Sequence, residues 1–89
     1  MSDLARLCHG LTLYHFESCP FCHKVRRYIE THQLPIALRD IRKTPSYREA
    51  LITGGGRQQV PCLHISIAGQ DTWLYESDDI IAWLEQQRV

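Results

Sequence analysis

Two cysteines separated by two residues, Cys19-Pro20-Phe21-Cys22, are the part of this 89-residue chain best suited to chemistry. A thiol attacks sulfur only as its thiolate, and a free cysteine is mostly protonated at neutral pH. Pro20 suits the first position of a helix, where its missing N–H costs nothing. A helix opening there leaves Cys19 beside unpaired backbone N–H groups at a positive dipole end. Thiols so placed ionise at a pKa of roughly 3.5–7.5. Cys22 follows one turn later, within reach of a mixed disulfide at Cys19. It also falls on the apolar stripe that Val25, Tyr28 and Ile29 would form. The spacing therefore predicts an exposed attacking Cys19 and a sheltered, resolving Cys22. A C-x-x-C alone is also half a metal site. What favours redox chemistry is its setting, after a strand and at the start of a helix.

The elements that must position this pair are legible from periodicity. Leu11–Phe16 reads as a strand, followed by the helix from Pro20, with Lys24, Arg26, Arg27 and Glu30 on its wet side and pointing sideways from the thiol. Residues 35–41 read as a second strand. Thr44-Pro45 reads as an N-cap and first helical residue, Tyr47, Ala50 and Leu51 as an apolar face, and Gly54-Gly55-Gly56 as the helix end. Residues 60–67 form a third strand, Gly69-Gln70-Asp71 a turn and Thr72–Tyr75 a fourth strand. Ser77 is expected to cap a last helix, with Asp78 and Asp79 at its positive end and Ile80, Ile81 and Leu84 turned inward. The order β-α-β-α-β-β-α describes an α/β domain, a four-stranded mixed sheet flanked by three helices, occupying residues 1–89 as a single unit.

Composition narrows the partners. Ten Lys and Arg balance ten Asp and Glu, giving a formal net charge of zero. A nucleic-acid binder needs clustered excess basic charge, so nucleic acid is not an expected partner. No apolar run has membrane-spanning length, and residues 1–6 lack the apolar stretch of a secretory signal. A soluble cytoplasmic monomer is the expectation. Of four cysteines, Cys62 lies in a strand and reads as inert packing. Cys8 lies near an expected loose N-terminus, open to incidental disulfides or glutathionylation. His23 reads as exposed. Cys8, His9, Cys19 and Cys22 could form a zinc set only on paper, and no metal is expected.

From about Leu11 to Leu84 the chain resembles the glutaredoxin family. Cys19-Pro20-Phe21-Cys22 is similar to that family's Cys-Pro-Tyr-Cys. Val60-Pro61 resembles the Val-Pro, with a cis proline, that precedes its third strand, and Ser77-Asp78-Asp79 resembles the residues opening its last helix. The resemblance implies the thioredoxin fold and glutathione as cosubstrate. It implies a thiol–disulfide oxidoreductase acting on glutathionylated and disulfide-bonded proteins, with electron transfer through a redox-active Cys19 and Cys22. It further implies that Val60 pairs its backbone with the cysteinyl part of glutathione beside Pro61. Ser77 and Asp78 would then hold the γ-glutamyl end, with Arg57 and Gln59 near the glycine carboxylate.

Two positions depart from that pattern. Many glutaredoxins carry a lysine three residues before the first active cysteine, where it can hold the glycine carboxylate; Phe16 stands there here. Tyr75-Glu76 replaces a frequent Gly-Gly. Glu76-Ser77 instead resembles the acidic-Ser pair of glutathione transferase N-terminal domains, which makes Glu76 a further expected glutathione contact. Two other functions stay open at this level. One is an iron–sulfur carrier, against which Pro20 and Cys22 weigh. The other is a glutathione-binding module with little turnover.

Overall fold

The computed structural model describes residues 8–87. Seven elements lie wholly within them: β1 (Leu11–His15), α1 (Pro20–Thr31), β2 (Ala37–Asp40), α2 (Pro45–Gly55), β3 (Cys62–Ile67), β4 (Gln70–Tyr75) and α3 (Ser77–Gln87). The sheet runs β2-β1-β3-β4. β2 lies parallel to β1, with Thr12 beside Ala37 and His15 beside Asp40. β3 is antiparallel to β1, with Leu13 opposite Leu63, and β4 is antiparallel to β3, with Leu63 opposite Leu74. This is the mixed sheet and topology of the thioredoxin fold.

Alternation along the strands divides the core between the two sheet faces. Leu11, Leu13, Leu63 and Ile65 pack on one face with Val25 and Ile29 of α1 and Ile80 and Leu84 of α3. Tyr14, Cys62 and Tyr75 point to the other, where Leu51 of α2 and Ile41 meet them. Cys22, Val25 and Ile29 recur at helical spacing, so α1 presents one buried stripe. α2 buries only Leu51 and covers its face of the sheet incompletely.

Several boundaries differ from the sequence reading. β2 is confined to Ala37–Asp40, because the backbone of Leu34 and Ile36 is engaged in bonds to Ile29 and Leu34. β3 begins at Cys62, since Pro61 has no N–H to give a ladder. β4 begins two residues early, with Gln70 paired to Ile67 across an Ala68-Gly69 turn. Thr44 is the N-cap residue of α2, yet its side chain makes no capping bond. Gly56 closes that helix in the left-handed region, at φ 86°. α3 starts at Ser77 itself, so the residue outside the helix is Glu76 rather than Ser77. Glu76 has φ 75°, and its carbonyl accepts the Ile80 N–H at 3.0 Å.

The largest correction concerns Cys8. It is 1% exposed and part of the α1/α3 core, not a loose terminal thiol. Gly10 explains the anchoring: its carbonyl accepts the Ser66 N–H at 2.7 Å, and a Cβ on it would stand 2.3 Å from the Ser66 oxygen. Among the described residues no helix is long and apolar enough to cross a membrane.

Candidate active site

The end of β1 delivers residues 16–18 into a tight turn in which the Cys19 N–H donates to the Phe16 carbonyl at 3.2 Å. Cys19 is extended, at φ −82° and ψ 116°, and is the N-cap residue of α1, with Pro20 next. The Cys19 carbonyl accepts the His23 N–H at 2.9 Å, and its Sγ accepts the Cys22 N–H at 3.3 Å. The sulfur thus takes the place a serine or aspartate oxygen has in an ordinary cap. A thiolate there gains a charge-assisted bond that a thiol gains only weakly.

Both thiols are shielded. Cys22 is 0% exposed, as its place on the stripe requires, and Cys19 is only 7% exposed, which corrects the expectation of an open Cys19. Burial, then the bond to Cys19, pushes the Cys22 thiol up to about 12. Burial likewise pushes Cys62 up to about 11 and raises Cys8. The chain therefore contains three thiols held neutral and one at a helix start.

A cleft of about 400 Å³ adjoins the motif. Phe21, Gln59, Val60, Pro61, Glu76, Ser77, Asp78 and Asp79 line it. Six of the residues expected to hold glutathione (Gln59, Val60, Pro61, Glu76, Ser77 and Asp78) therefore come together. The Val60–Pro61 bond is cis. Gln59 Nε2 donates to Glu76 Oε2 at 3.0 Å, which braces Glu76 in its left-handed conformation. Asp78 is paired with Lys24 of α1, so Lys24 turns toward the cleft and not sideways. Phe21 is 63% exposed at the cleft rim.

Arg57 does not line this cleft. Its guanidinium lies 4.1 Å from the Tyr75 ring centroid, and its carbonyl accepts the Tyr75 hydroxyl at 3.2 Å. The cation nearest the position of the absent lysine is Arg42, which sequence reasoning missed. Its guanidinium carbon sits 3.9 Å from the Phe16 ring centroid, and Nη1 donates to Ser18 Oγ at 3.1 Å. Asp40 Oδ1 accepts the N–H groups of Arg42 and Lys43 at 2.8 and 3.1 Å, holding the turn that presents Arg42. Burial pushes the Asp40 carboxyl up, but those two bonds together with the nearby charges of His15 and Lys43 hold it below its ordinary value. With Arg48 and Gln58, Arg42 lines a second cleft of about 480 Å³. Among the described residues, no three His, Cys, Asp or Glu side chains converge to hold a metal ion.

Comparison with known proteins follows the same lines. Residues 13–89 match the profile of the family described as glutathione S-transferase, N-terminal domain. Prostaglandin E synthase 2 of Mus musculus is 35% identical over 75 residues, which cover 72% of this chain and 20% of that protein. The chain thus spans about a fifth of the length of the curated relatives it matches. Glutaredoxin 2 from Salmonella typhimurium, solved in complex with glutathione, superposes with a TM-score of 0.70 at 24% identity, over 88% of this chain and 34% of that one. The holo form of glutaredoxin C1 from Populus tremula × tremuloides gives 0.63 at 16% identity, over 97% and 84%. The fold is common to both groups, and the chain belongs to the glutathione S-transferase N-terminal domain family, with the thioredoxin fold.

Proposed function

We propose that this domain is a glutathione-dependent thiol–disulfide oxidoreductase in which Cys19 attacks and Cys22 resolves. The observation that carries the reading is Cys19 Sγ at the N-cap of α1, 3.3 Å from the Cys22 N–H and beside the Gln59–Glu76 cleft. With a glutathionylated protein, the Cys19 thiolate attacks the glutathione sulfur. The protein thiolate leaves and takes a proton, and glutathione stays as a mixed disulfide on Cys19. A second glutathione thiolate attacks its sulfur, releasing oxidised glutathione and restoring the Cys19 thiolate. With a protein disulfide, the Cys19 thiolate attacks one sulfur, the protein S–S bond breaks and its other sulfur leaves as a thiolate, so that the protein is held on Cys19 as a mixed disulfide. Cys22 then gives up its proton and attacks Cys19, freeing the second protein thiolate and leaving a Cys19–Cys22 disulfide for two glutathiones to reduce.

The cleft supplies binding. The γ-glutamyl carboxylate suits the N–H groups at the start of α3, and its ammonium suits the carboxylates of Glu76 and Asp78. The Val60 backbone suits the cysteinyl amide. Arg42 lies on the other side of the thiol and stands in for the lysine that Phe16 replaces, with the Phe16 ring as its platform. Arg57, held on Tyr75, is left a structural role.

The test is turnover of a glutathionylated peptide with glutathione, coupled to reduction of the oxidised glutathione formed. The wild-type chain should turn over, and Cys19→Ser should not. Glutathione binding by both proteins without turnover by either would leave a binding module, and a brown chromophore in freshly purified protein would leave the cluster carrier.

A further inference from the structure

On the sheet face that α2 covers incompletely, at the end of the strands remote from Cys19, lies a cleft of about 570 Å³. It shares no lining residue with either cleft beside the thiols. We propose that it is a second binding site, for a small planar aromatic anion.

Its wall is aromatic and prearranged. The Trp73 ring lies stacked on His64, with centroids 4.0 Å apart and planes 12° apart, and Tyr14 is 5.5 Å from Trp73. Gly54 lies against the indole, because a Cβ there would stand 2.1 Å from Trp73 Cζ2. Backbone of α2 thus packs against the ring at Gly54, and His64, itself bonded to Asp71 at 2.8 Å, stacks on it. A ring held in place gives stacking area without the entropy cost of ordering it.

Its polar side chains are a guanidinium, hydroxyls and imidazoles. Arg39 is half-buried at the cleft, with Nη1 donating to the Tyr14 hydroxyl at 2.8 Å and the guanidinium over the Tyr14 and Tyr47 rings. Among the described residues no carboxylate pairs with Arg39 and none lines the cleft. Thr12 and Ser66 add hydroxyl groups to the floor. A guanidinium with donors to spare, next to a fixed aromatic wall, selects a carboxylate or sulfonate on a flat ring. The volume falls in the range of small-molecule sites, roughly 300–1,000 Å³.

The experiment uses 2-naphthoate as probe and the Trp83→Phe chain, so that Trp73 is the sole indole. Saturable quenching of Trp73 emission is expected. Affinity should fall about tenfold for Arg39→Met, as for loss of one charge-assisted bond, and recover in part for Arg39→Lys. Uncharged 2-methylnaphthalene should bind correspondingly weakly. Oxidised glutathione should not displace the probe, and a saturating probe should leave the Cys19 reaction rate unchanged, so the outcome stands apart from that of the redox assignment. Three results overturn the proposal: quenching that never saturates, quenching equal in Arg39→Met and its parent, or displacement by oxidised glutathione.

Discussion

The backbone N–H of Cys22 donates to the sulfur of Cys19 at 3.3 Å, so in the proposed reaction the resolving residue would help stabilise the nucleophile it later attacks. One helical turn achieves both effects. The amide of Cys22 meets the Cys19 sulfur, while its side chain is turned into the core and held neutral by burial.

This arrangement orders the thiols by reactivity. Iodoacetamide at pH 6 should label Cys19 first, although it is only 7% exposed. Cys8, Cys22 and Cys62 should stay unlabelled in the native chain, being 1% exposed or less and each held protonated. Peptide mapping after a short pulse checks this, and early label on Cys8 or Cys62 would remove the assignment of Cys19.

Replacing Cys22 separates the two reactions. Cys22→Ser keeps the amide that bonds Cys19 Sγ, so reduction of glutathione mixed disulfides should persist at a substantial fraction of wild type. Reduction of protein disulfides should be lost, because that route requires intramolecular attack. Parallel loss of both activities in a folded variant would mean that Cys22 does more than resolve.

Arg42 and Phe16 form a testable unit. Arg42→Met should raise the Michaelis constant for a glutathionylated substrate about threefold to tenfold, the low range expected for an exposed charge. Phe16→Lys should gain little in the wild-type background, since the new ammonium would compete with the guanidinium now lying on the Phe16 ring. In an Arg42→Met background the same change should restore recognition. A large gain from Phe16→Lys alone would show that the carboxylate position is empty and that Arg42 lies elsewhere in solution.

How much of this was open to sequence reasoning depends on separation along the chain. The start of α1 at Pro20 is a local pattern and appears where the residues implied it, while the cis Val60–Pro61 step and the place of the Glu76-Ser77 pair at the cleft are what the family resemblance implied. Arg42 is different. It reaches Phe16 only because β2 runs parallel to β1, with Asp40 beside His15 and the Ile41 N–H bonded to the His15 carbonyl at 2.9 Å. No periodicity states that register. The burial of Cys8 was hidden for the same reason, since it rests on Gly10 approaching Ser66, 56 positions on. Exposure of Cys19 was overestimated because a helix start was read as open, whereas Cys19 is 7% exposed with its sulfur turned back onto the Cys22 N–H.

Alkaline pH should loosen the fold through its buried thiols. Ordinary thiols ionise near 9.0, while Cys22 is held up to about 12 and Cys62 to about 11. The folded state therefore keeps protons that the unfolded chain gives up. The associated stability is whole below pH 9 and is lost as pH rises from 9 through 11 to 12. Near pH 10 the loss should be about 1 kcal/mol per thiol. Urea unfolding at pH 8 and pH 10 tests it. The Cys22→Ala/Cys62→Ala chain should be less stable at pH 8, from the volume removed, yet lose distinctly less between the two pH values. An equal loss in both chains would place the alkaline sensitivity in other groups.

Glu76 offers a prediction in which stability and binding move in opposite directions. Its φ of 75° lies in the left-handed region, where a side chain costs about 1–2 kcal/mol relative to glycine. The carboxylate it presents to the cleft is braced by Gln59 at 3.0 Å, and this position is where many glutaredoxins have glycine. Glu76→Gly relieves the backbone and removes a carboxylate that suits the γ-glutamyl ammonium. The variant should unfold at an equal or higher urea concentration, the relief being partly offset by the greater freedom of glycine in the unfolded chain. Its affinity for glutathione should fall about threefold to tenfold. Glu76→Gln, which keeps the strain and loses the charge, should lose affinity to a similar extent without gaining stability. If Glu76→Gly gained stability and bound glutathione as well as the wild type, Glu76 would be a strained residue with no part in binding, leaving Asp78 to hold the ammonium.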